Sequence, residues 1–270
     1  MAFHLEQFTA TIANSTNGAT LVQLTSVFNG VVPTLNSGFQ VPQSTDGSAP
    51  LSSLGLVAAV SAHLVRVRMQ TPRWAPYPYP DLSPQNRGTA FESPPRIWDF
   101  MANPMPMTPT DELDMFAAQN HSTTEAVYGA VIFTDGMSRP IPPGRLFQAR
   151  WTSSTTLTAG AFTPVPITLD IALPAGMYAL VGASVFSATG LFFQMLPATG
   201  PVWRPGGICV QAFDSFQPAG QRALGWMPSP YMGWGTWMTF RQNTPPQVNV
   251  FATSADTAQI GWLDLVYMGP

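Results

Sequence analysis

The chain has very few charged residues. Charged side chains make up 9% of its 270 residues, whereas soluble globular proteins average roughly 25%. All eleven basic residues are arginine, so the sequence contains no lysine. The net charge of −3 and the scatter of the arginines argue against the clustered basic surface that nucleic-acid binding needs. With so little charge, either something other than charge keeps the surface from associating or partner molecules bury much of it. We expect no direct contact with nucleic acid.

Cysteine and histidine are nearly absent as well. Cys209 is the single cysteine, so the chain can form neither an internal disulfide nor a cysteine metal cluster. The three histidines, His4, His63 and His121, have no second ligand at the spacing of a metal site. No Gly-x-Ser-x-Gly elbow is present either, which argues against a hydrolase. We therefore expect no cofactor, no metal and no catalytic residues.

A basic leader and long uninterrupted apolar runs are also missing. The start of the chain, MAFHLEQFTATIAN, lacks the basic region and apolar core of a signal peptide. The uncharged tracts 47–65 and 171–203 are interrupted by proline, serine or glycine, whereas a spanning helix needs about 20 predominantly apolar residues. We expect neither tract to cross a membrane and no export by the ordinary route.

Proline and glycine are abundant and divide the chain into short segments. The sequence has 28 prolines and 22 glycines, which favours strands and loops over helices. In segment 166–196, an alternating strand and a turn precede residues 177–186, which are apolar on both alternating sets. A second turn and a third strand at 191–196 follow. This succession is typical of an antiparallel β-sandwich or barrel.

Further strands are predicted on both sides of this segment. The Asn17-Gly18 pair predicts a turn between two strands at 3–13 and 20–28. Residues 56–70 are predicted to form one long strand, with Val67 on the buried face and Arg66 and Arg68 on the other. The remaining predicted strands are 126–134, 145–151, 208–213, 236–240, 248–253 and 260–267.

One helix is predicted, at residues 109–119. Thr108 can cap its start and Pro109 suits the first helical position. The acidic residues that follow would lie at the positive end of the helix dipole; they are Asp111, Glu112 and Asp114. Because no histidine or cysteine lies nearby in the sequence, capping explains these carboxylates better than metal or acid–base chemistry does.

The Ser/Thr-rich segment 152–164 predicts a boundary between two domains. We expect a first domain at 1–155, with a long proline-rich loop and the short helix, and a second at 156–270. About eight strands are predicted in each half, which is the count of a jelly roll. The predicted fold class is therefore all-β, with two jelly-roll barrels or sandwiches of antiparallel strands in tandem.

Aromatic residues in the proline- and glycine-rich stretches are candidate contact sites. The loop at 71–95 can pack on its own domain, contact a neighbouring subunit or bind a ligand, and such long loops usually have a role. Tryptophan, tyrosine and arginine carry much of the energy of subunit contacts. The candidate interface residues are Trp74, Tyr77, Tyr79, Trp203, Arg204, Trp234 and Trp237. A sugar platform of Trp226, Trp234 and Trp237 is the alternative.

The C-terminal half resembles a known family. The stretches that carry the resemblance are LPAGMYALVGASVF at 173–186, VWRPGG at 202–207, MGWGTW at 232–237 and IGWLDLV at 260–266. They are similar to the double jelly-roll major capsid proteins of tailless icosahedral viruses, and most similar to those of small bacteriophages with an internal lipid membrane, the finnlakevirus type. The rest of the chain is similar by size and strand count.

This resemblance implies a protein of the virion without enzymatic activity. Homotrimers of pseudo-hexagonal outline would form by self-assembly in the host cytoplasm, and these capsomers would tile a shell over a membrane vesicle. The implied partners are further copies of the chain, minor virion proteins and an internal lipid membrane. The low charge agrees with this, because permanent interfaces resemble a domain core cut in half and are poor in charge.

Two other classes of function remain open. A carbohydrate-binding or receptor-binding β-sandwich of the spike or adhesin type would present Trp74, Tyr77, Tyr79 or Trp234 to glycans. A hydrolase is the third possibility, because composition alone cannot exclude a Ser-His-Asp triad.

Overall fold

A computed structural model gives the fold of the chain. The model describes residues 3–13, 20–26, 39–40, 53–60, 64–70, 81–82, 96–99, 105–106, 112–134, 140–198, 204–211 and 235–270. All the regular structure in these ranges is β-strand, so the predicted all-β class is confirmed there. No helix in these ranges is long and apolar enough to cross a membrane.

The described strands of the first half of the chain form two sheets. The strands are β1 (Phe3–Ile12), β2 (Val22–Gln23), β3 (Thr25–Ser26), β4 (Phe39–Gln40), β5 (Ser53–Val60), β6 (Leu64–Gln70), β7 (Asp81–Leu82), β8 (Arg96–Asp99), β9 (Met105–Pro106), β10 (Glu112–Gln119) and β11 (Glu125–Thr134). One sheet has the order β3-β1-β11-β5-β8, with β9 also paired to β5. The other has the order β2-β10-β6-β7, with β4 also paired to β10.

The strands of the second half form two further sheets. The strands are β12 (Arg145–Ser153), β13 (Phe162–Val165), β14 (Thr168–Leu169), β15 (Met177–Ser187), β16 (Gly190–Leu196), β17 (Gly206–Ile208), β18 (Val210–Gln211), β19 (Met238–Arg241), β20 (Gln247–Ala252) and β21 (Gln259–Gly269). One sheet has the order β14-β12-β21-β15-β18, with β19 also paired to β15. The other has the order β13-β20-β16-β17.

Eight strands in each half are connected in the same way. In the first half they are β1, β2, β5, β6, β7, β8, β10 and β11, and in the second half β12, β13, β15, β16, β17, β19, β20 and β21. We number these eight strands one to eight along the chain. In both halves, one sheet then has the spatial order one-eight-three-six and the other sheet has the order two-seven-four-five. The two halves therefore repeat one topology, which no repeat in the sequence had indicated.

The chain divides into two compact units. The N-terminal unit is Glu6–Gly136, and the C-terminal unit combines Met137–Pro270 with Met1–Leu5. This division differs from the predicted boundary at residue 155, because β12 pairs along its whole length with β21, the last strand of the C-terminal unit. The start of β1 also belongs to the C-terminal unit, while the rest of that strand belongs to the N-terminal unit.

The helix predicted at 109–119 is wrong, because residues 112–119 form strand β10. This strand has antiparallel neighbours on both sides, β2 and β6, which satisfy its backbone hydrogen bonds. Met115 and Ala117 are fully buried while Asp114 and Phe116 are half-buried, which is the alternation of a strand. A helix cap is worth about 1 kcal/mol, and the central position in the sheet outweighs it. Residues 108–111 lie outside the described ranges.

The single strand predicted at 56–70 is also wrong. The structure has two strands there, β5 and β6, in different sheets. A strand of that length would exceed the usual 3–10 residues, and the split lets the chain pass from one sheet of the unit to the other. The predicted alternation within β6 is confirmed, because Val67 is buried and Arg66 and Arg68 are half-buried.

Other predicted strands are confirmed. β1 pairs with β3 in an antiparallel manner, as the predicted opening hairpin requires, and the turn at 14–19 lies outside the described ranges. The strand predicted at 20–28 is divided, however, because β2 pairs with β10 in the other sheet. β15 is buried on both alternating sets over most of its length, as its apolar pattern predicted. In the core beside it, the Tyr178 ring stacks on Phe240 at 5.7 Å between centroids and contacts Tyr267 at 5.2 Å.

Candidate interaction surface

Most of the predicted interface residues lie outside the described ranges. These are Trp74, Tyr77, Tyr79, Trp203 and Trp234, together with Trp226 of the alternative sugar platform. Trp237 is described and only 5% exposed. Its backbone N–H donates to the carbonyl oxygen of Leu180 at 2.8 Å, so its side chain belongs to the core of the C-terminal unit. Arg204, the other described candidate, is half-buried.

Arg204 holds the first residues of the chain in the C-terminal unit. Its carbonyl oxygen accepts a hydrogen bond from the N–H of Leu5 at 3.0 Å, and its own N–H donates to Nδ1 of His4 at 3.2 Å. On β16, Nε2 of Gln194 donates to the carbonyl oxygen of Leu5 at 2.6 Å. His4 and Leu5 are almost completely buried. This N-terminal segment, residues 3–5, is therefore a structural part of the unit.

The described residues bring together few groups with catalytic or metal-binding chemistry. They contain no cluster of three or more histidine, cysteine, aspartate or glutamate side chains able to hold a metal ion. His121 lies in the turn after β10, with Nδ1 3.1 Å from Oε1 of Glu125. Cys209 is completely buried, and this burial raises the pKa of its thiol far above the ordinary range. The thiol is therefore not a reactive nucleophile in the folded chain.

The exposed side of the sheet that contains β12, β21 and β15 is the most distinctive surface among the described residues. In β12, Ala149 and Trp151 are buried on one side, and Leu146, Gln148 and Arg150 are exposed on the other. The antiparallel register places Leu146 beside Val266, Gln148 beside Asp264 and Arg150 beside Trp262. We call this surface the β12–β21 face; its residues are Leu146, Gln148, Arg150, Ser184, Phe186, Trp262, Asp264 and Met268.

Apolar side chains are exposed at one end of the β12–β21 face. Leu146 is 54% exposed and Met268 is 36% exposed. Both lie next to Val266, the first as its cross-strand neighbour and the second two residues further along β21. Val266 between them is itself buried, so Leu146 and Met268 indicate a protein contact only in combination with the aromatic pair on the same face.

An aromatic pair lies further along the same face. The rings of Trp262 and Phe186 meet edge to face, with centroids 5.0 Å apart. Both rings are half-buried, and Arg150 and Ser184 lie beside Trp262 on the neighbouring strands. Tryptophan and arginine are the residue types that contribute most to binding between proteins.

Asp264 is the acidic residue of the β12–β21 face. Its Oδ1 accepts a hydrogen bond from Nε2 of Gln148 at 3.0 Å. Partial burial raises the pKa of this carboxyl above its usual value, and the hydrogen bond from Gln148 lowers it in part. Arg150, on the neighbouring strand, forms no ion pair with any described residue. The face thus holds one cation, Arg150, and one anion, Asp264, in neighbouring cross-strand pairs without an ion pair between them. Asp170, just after β14, lies on the other side of Arg150 and donates its N–H to the Arg150 carbonyl oxygen at 3.0 Å.

Sequence reasoning missed this face although the sequence contains a signal for it. In β12, the alternation places Leu146 in the same set as Gln148 and Arg150. In β21, Trp262 and Met268 fall in the same alternating set as Asp264, although Val266 of that set is buried. Large apolar residues within a polar set are the signal of a surface that is exposed in one chain and covered in an assembly.

Comparison with known proteins gives distant matches among solved structures. No protein-family model matches the chain, and no curated protein matches it. The chain is similar to the major capsid protein P2 from Bacteriophage PM2, with 9% identity, a TM-score of 0.26 and coverage of 97% of this chain and 98% of that one. It is also similar to the STIV MCP, with 10% identity, a TM-score of 0.27 and coverage of 97% of each chain.

Proposed function

We propose that the chain is the major capsid protein of an icosahedral virus, built from two jelly rolls in tandem. Homotrimers are the capsomers of this assembly, and they tile the shell of the virion. The role is structural and requires no catalytic turnover. In the finer form of the proposal, the virus is a small bacteriophage with an internal membrane, as the stretches at 173–186, 202–207, 232–237 and 260–266 suggest.

The observation that carries the proposal is the strand order that both halves share. Strands one, eight, three and six in one sheet and two, seven, four and five in the other make up the eight-stranded, two-sheet arrangement of a jelly roll. Jelly rolls are found in capsid and lectin domains among others. Two in one chain supply two similar building blocks, which suits a subunit that must meet several neighbours in a closed shell.

Composition and surface support the same proposal. A shell subunit buries large areas against its neighbours, and such interfaces are apolar and poor in charge. The chain is 45% hydrophobic and 9% charged, and the β12–β21 face exposes Leu146 and Met268. The candidate residues Trp74, Tyr77, Tyr79, Trp203, Arg204 and Trp234 would add contacts around the trimer.

Light scattering of the purified chain at several concentrations tests the proposal. We expect a stable trimer of the 29.1 kDa chain or larger closed particles that electron microscopy can image. A monomer at every concentration that binds glycans would contradict the capsid role and favour a binding module.

The variants Trp234→Ala and Trp237→Ala give a matched pair. The first should weaken trimers, and the second, because Trp237 is buried in its own unit, should lower thermal stability.

A further inference from the structure

We propose that the β12–β21 face binds the same face of a second copy of this chain around a two-fold axis. This deepens the proposed function, on which it rests, because it assigns one surface to the contact between capsomers. In an isologous contact, residue i of one copy meets residue j of the other and the reverse contact forms as well, while a residue on the axis meets its own counterpart. Such a face has to be complementary to itself in shape and in charge.

The charges of the face meet this requirement. Arg150 is exposed on β12 and forms no ion pair with any described residue. Asp264 is half-buried on β21, with Gln148 as its hydrogen-bond donor, and forms no ion pair with any described residue. Arg150 and Asp264 belong to neighbouring cross-strand pairs of β12 and β21. Arg150 pairs with Trp262, and Gln148, the next residue on the same side of β12, pairs with Asp264. A rotation of 180° about an axis near Trp262 brings Arg150 of each copy towards Asp264 of the other.

The apolar residues of the face suit a protein partner. The half-buried ring pair of Trp262 and Phe186 would lie near the axis, where the most strongly desolvated contacts of an interface are found. Leu146 and Met268 extend the apolar area towards one end of the face. An aromatic ring with polar neighbours could also bind a sugar, but the exposed leucine and methionine further along the same face favour a protein surface.

Charge reversal tests the contact between Arg150 and Asp264. We expect Arg150→Glu and Asp264→Arg each to weaken the association of capsomers, or of dimers, by at least tenfold in Kd at low salt. The double variant should recover most of the parent affinity, because the pair is restored with its charges exchanged. Analytical ultracentrifugation measures the affinities, and circular dichroism checks that each variant is folded.

Two further variants test the role of the β12–β21 face in association if Asp264→Arg fails to fold. Leu146→Glu places a charge at an exposed position of the face, which should not disturb folding and should reduce association. Gln247→Glu is the control, because Gln247 is exposed in β20, which belongs to the other sheet of the same unit. It should associate as the parent chain does.

The outcomes separate this inference from the proposed function. Trimers that form normally in Arg150→Glu but do not join one another would support both. Trimers whose association is unchanged by Arg150→Glu and Leu146→Glu would overturn the inference and leave the capsid role intact. Dimers that the single reversals abolish would support the inference even if no trimer forms. A monomeric parent chain that binds glycans, and loses this binding in Trp262→Ala, would overturn it.

Discussion

The contact between Trp151 and Gly261 limits which residue type can occupy position 261 in the core. The two residues face each other across β12 and β21, and Trp151 is completely buried. A Cβ at position 261 would lie 2.5 Å from two atoms of the indole ring and would also meet the carbonyl oxygen of Ser184. Only glycine leaves room for the indole at this point of the sheet.

We predict that Gly261→Ala destabilises the chain by about 3 kcal/mol, because extra volume in a well-packed core is costly. Chemical denaturation measures the effect. Gly160→Ala is the comparison: at Gly160 φ is 71° but no atom lies within 4 Å of an added Cβ, so only backbone strain of about 1 kcal/mol is expected. Equal losses in the two variants would show that the indole moves aside at little cost.

The ionisation of Asp264 predicts a dependence of stability on pH. Because burial raises the pKa of its carboxyl in the folded chain, the folded chain takes up this proton at a higher pH than the unfolded chain does. Stability contributed by this group therefore increases as the pH falls through the raised pKa, and the gain is complete below the unfolded value of 3.8.

We predict that Asp264→Asn raises the melting temperature at pH 7, and that this advantage shrinks as the pH approaches 3.8. Asparagine keeps the oxygen that accepts from Gln148 but removes the half-buried charge. Thermal unfolding at a series of pH values, in dilute solution where copies do not associate, measures the difference. A constant difference across that range would mean that the charge of Asp264 costs nothing in the folded chain.

At the scale of elements, one buried side chain connects the end of β1 to the turn between β10 and β11. Nε2 of Gln119 lies 2.8 Å from three carbonyl oxygens, those of Ile12, Ala13 and Thr123. These residues are up to 107 positions away from it along the chain. The side-chain amide therefore ties two distant segments of the N-terminal unit together.

We predict that Gln119→Met, which keeps the length of the side chain but removes its donor, lowers the free energy of unfolding by about 2 to 3 kcal/mol. Carbonyl oxygens left without a donor account for this loss. Gln247→Met is the control, since Gln247 lies in strand β20 and is exposed. If both variants unfold at the same denaturant concentration, the hydrogen bonds that the two N–H groups of Nε2 share among these carbonyl oxygens contribute nothing measurable.

The elements also show how far the sequence alone can predict the fold. Strands such as β15 and β21 could be predicted because the pattern of apolar residues within each strand and the turn residues next to it are sufficient to indicate a strand. The signal at 109–119 was local too, but the strand neighbours of β10 decided its structure, and those lie more than 40 residues away in β6. The β12–β21 face could be recognised only after the register placed Leu146 beside Val266 and Arg150 beside Trp262.

At the scale of the whole molecule, the N-terminal segment is expected to be essential to the C-terminal unit. We predict that deletion of residues 1–5 destabilises that unit by about 3 kcal/mol, since it removes the hydrogen bonds of Leu5 and His4 to Arg204 and Gln194. The buried thiol of Cys209 provides the readout, because it reacts with a thiol reagent only when the unit opens.

Faster labelling of Cys209 in the deletion variant would support this prediction. Thr11→Ala is the control, because Thr11 lies in the same strand β1 but is exposed. A deletion variant that is labelled at the rate of the parent chain would show that residues 1–5 add nothing to the unit they pack in.

The position of the N-terminal segment also has a consequence for synthesis on the ribosome. Gln194 and Arg204, which hold Leu5 and His4, are added to the growing chain almost 200 residues after them. At a translation rate of about 5 to 20 residues per second, roughly 10 to 40 s pass between the synthesis of the segment and the synthesis of its partners. During this interval the later part of β1 can already pair within the N-terminal unit. Synonymous codons that slow translation before residue 204 therefore prolong the exposure of an apolar segment, and the yield of folded chain would change without any change in its sequence.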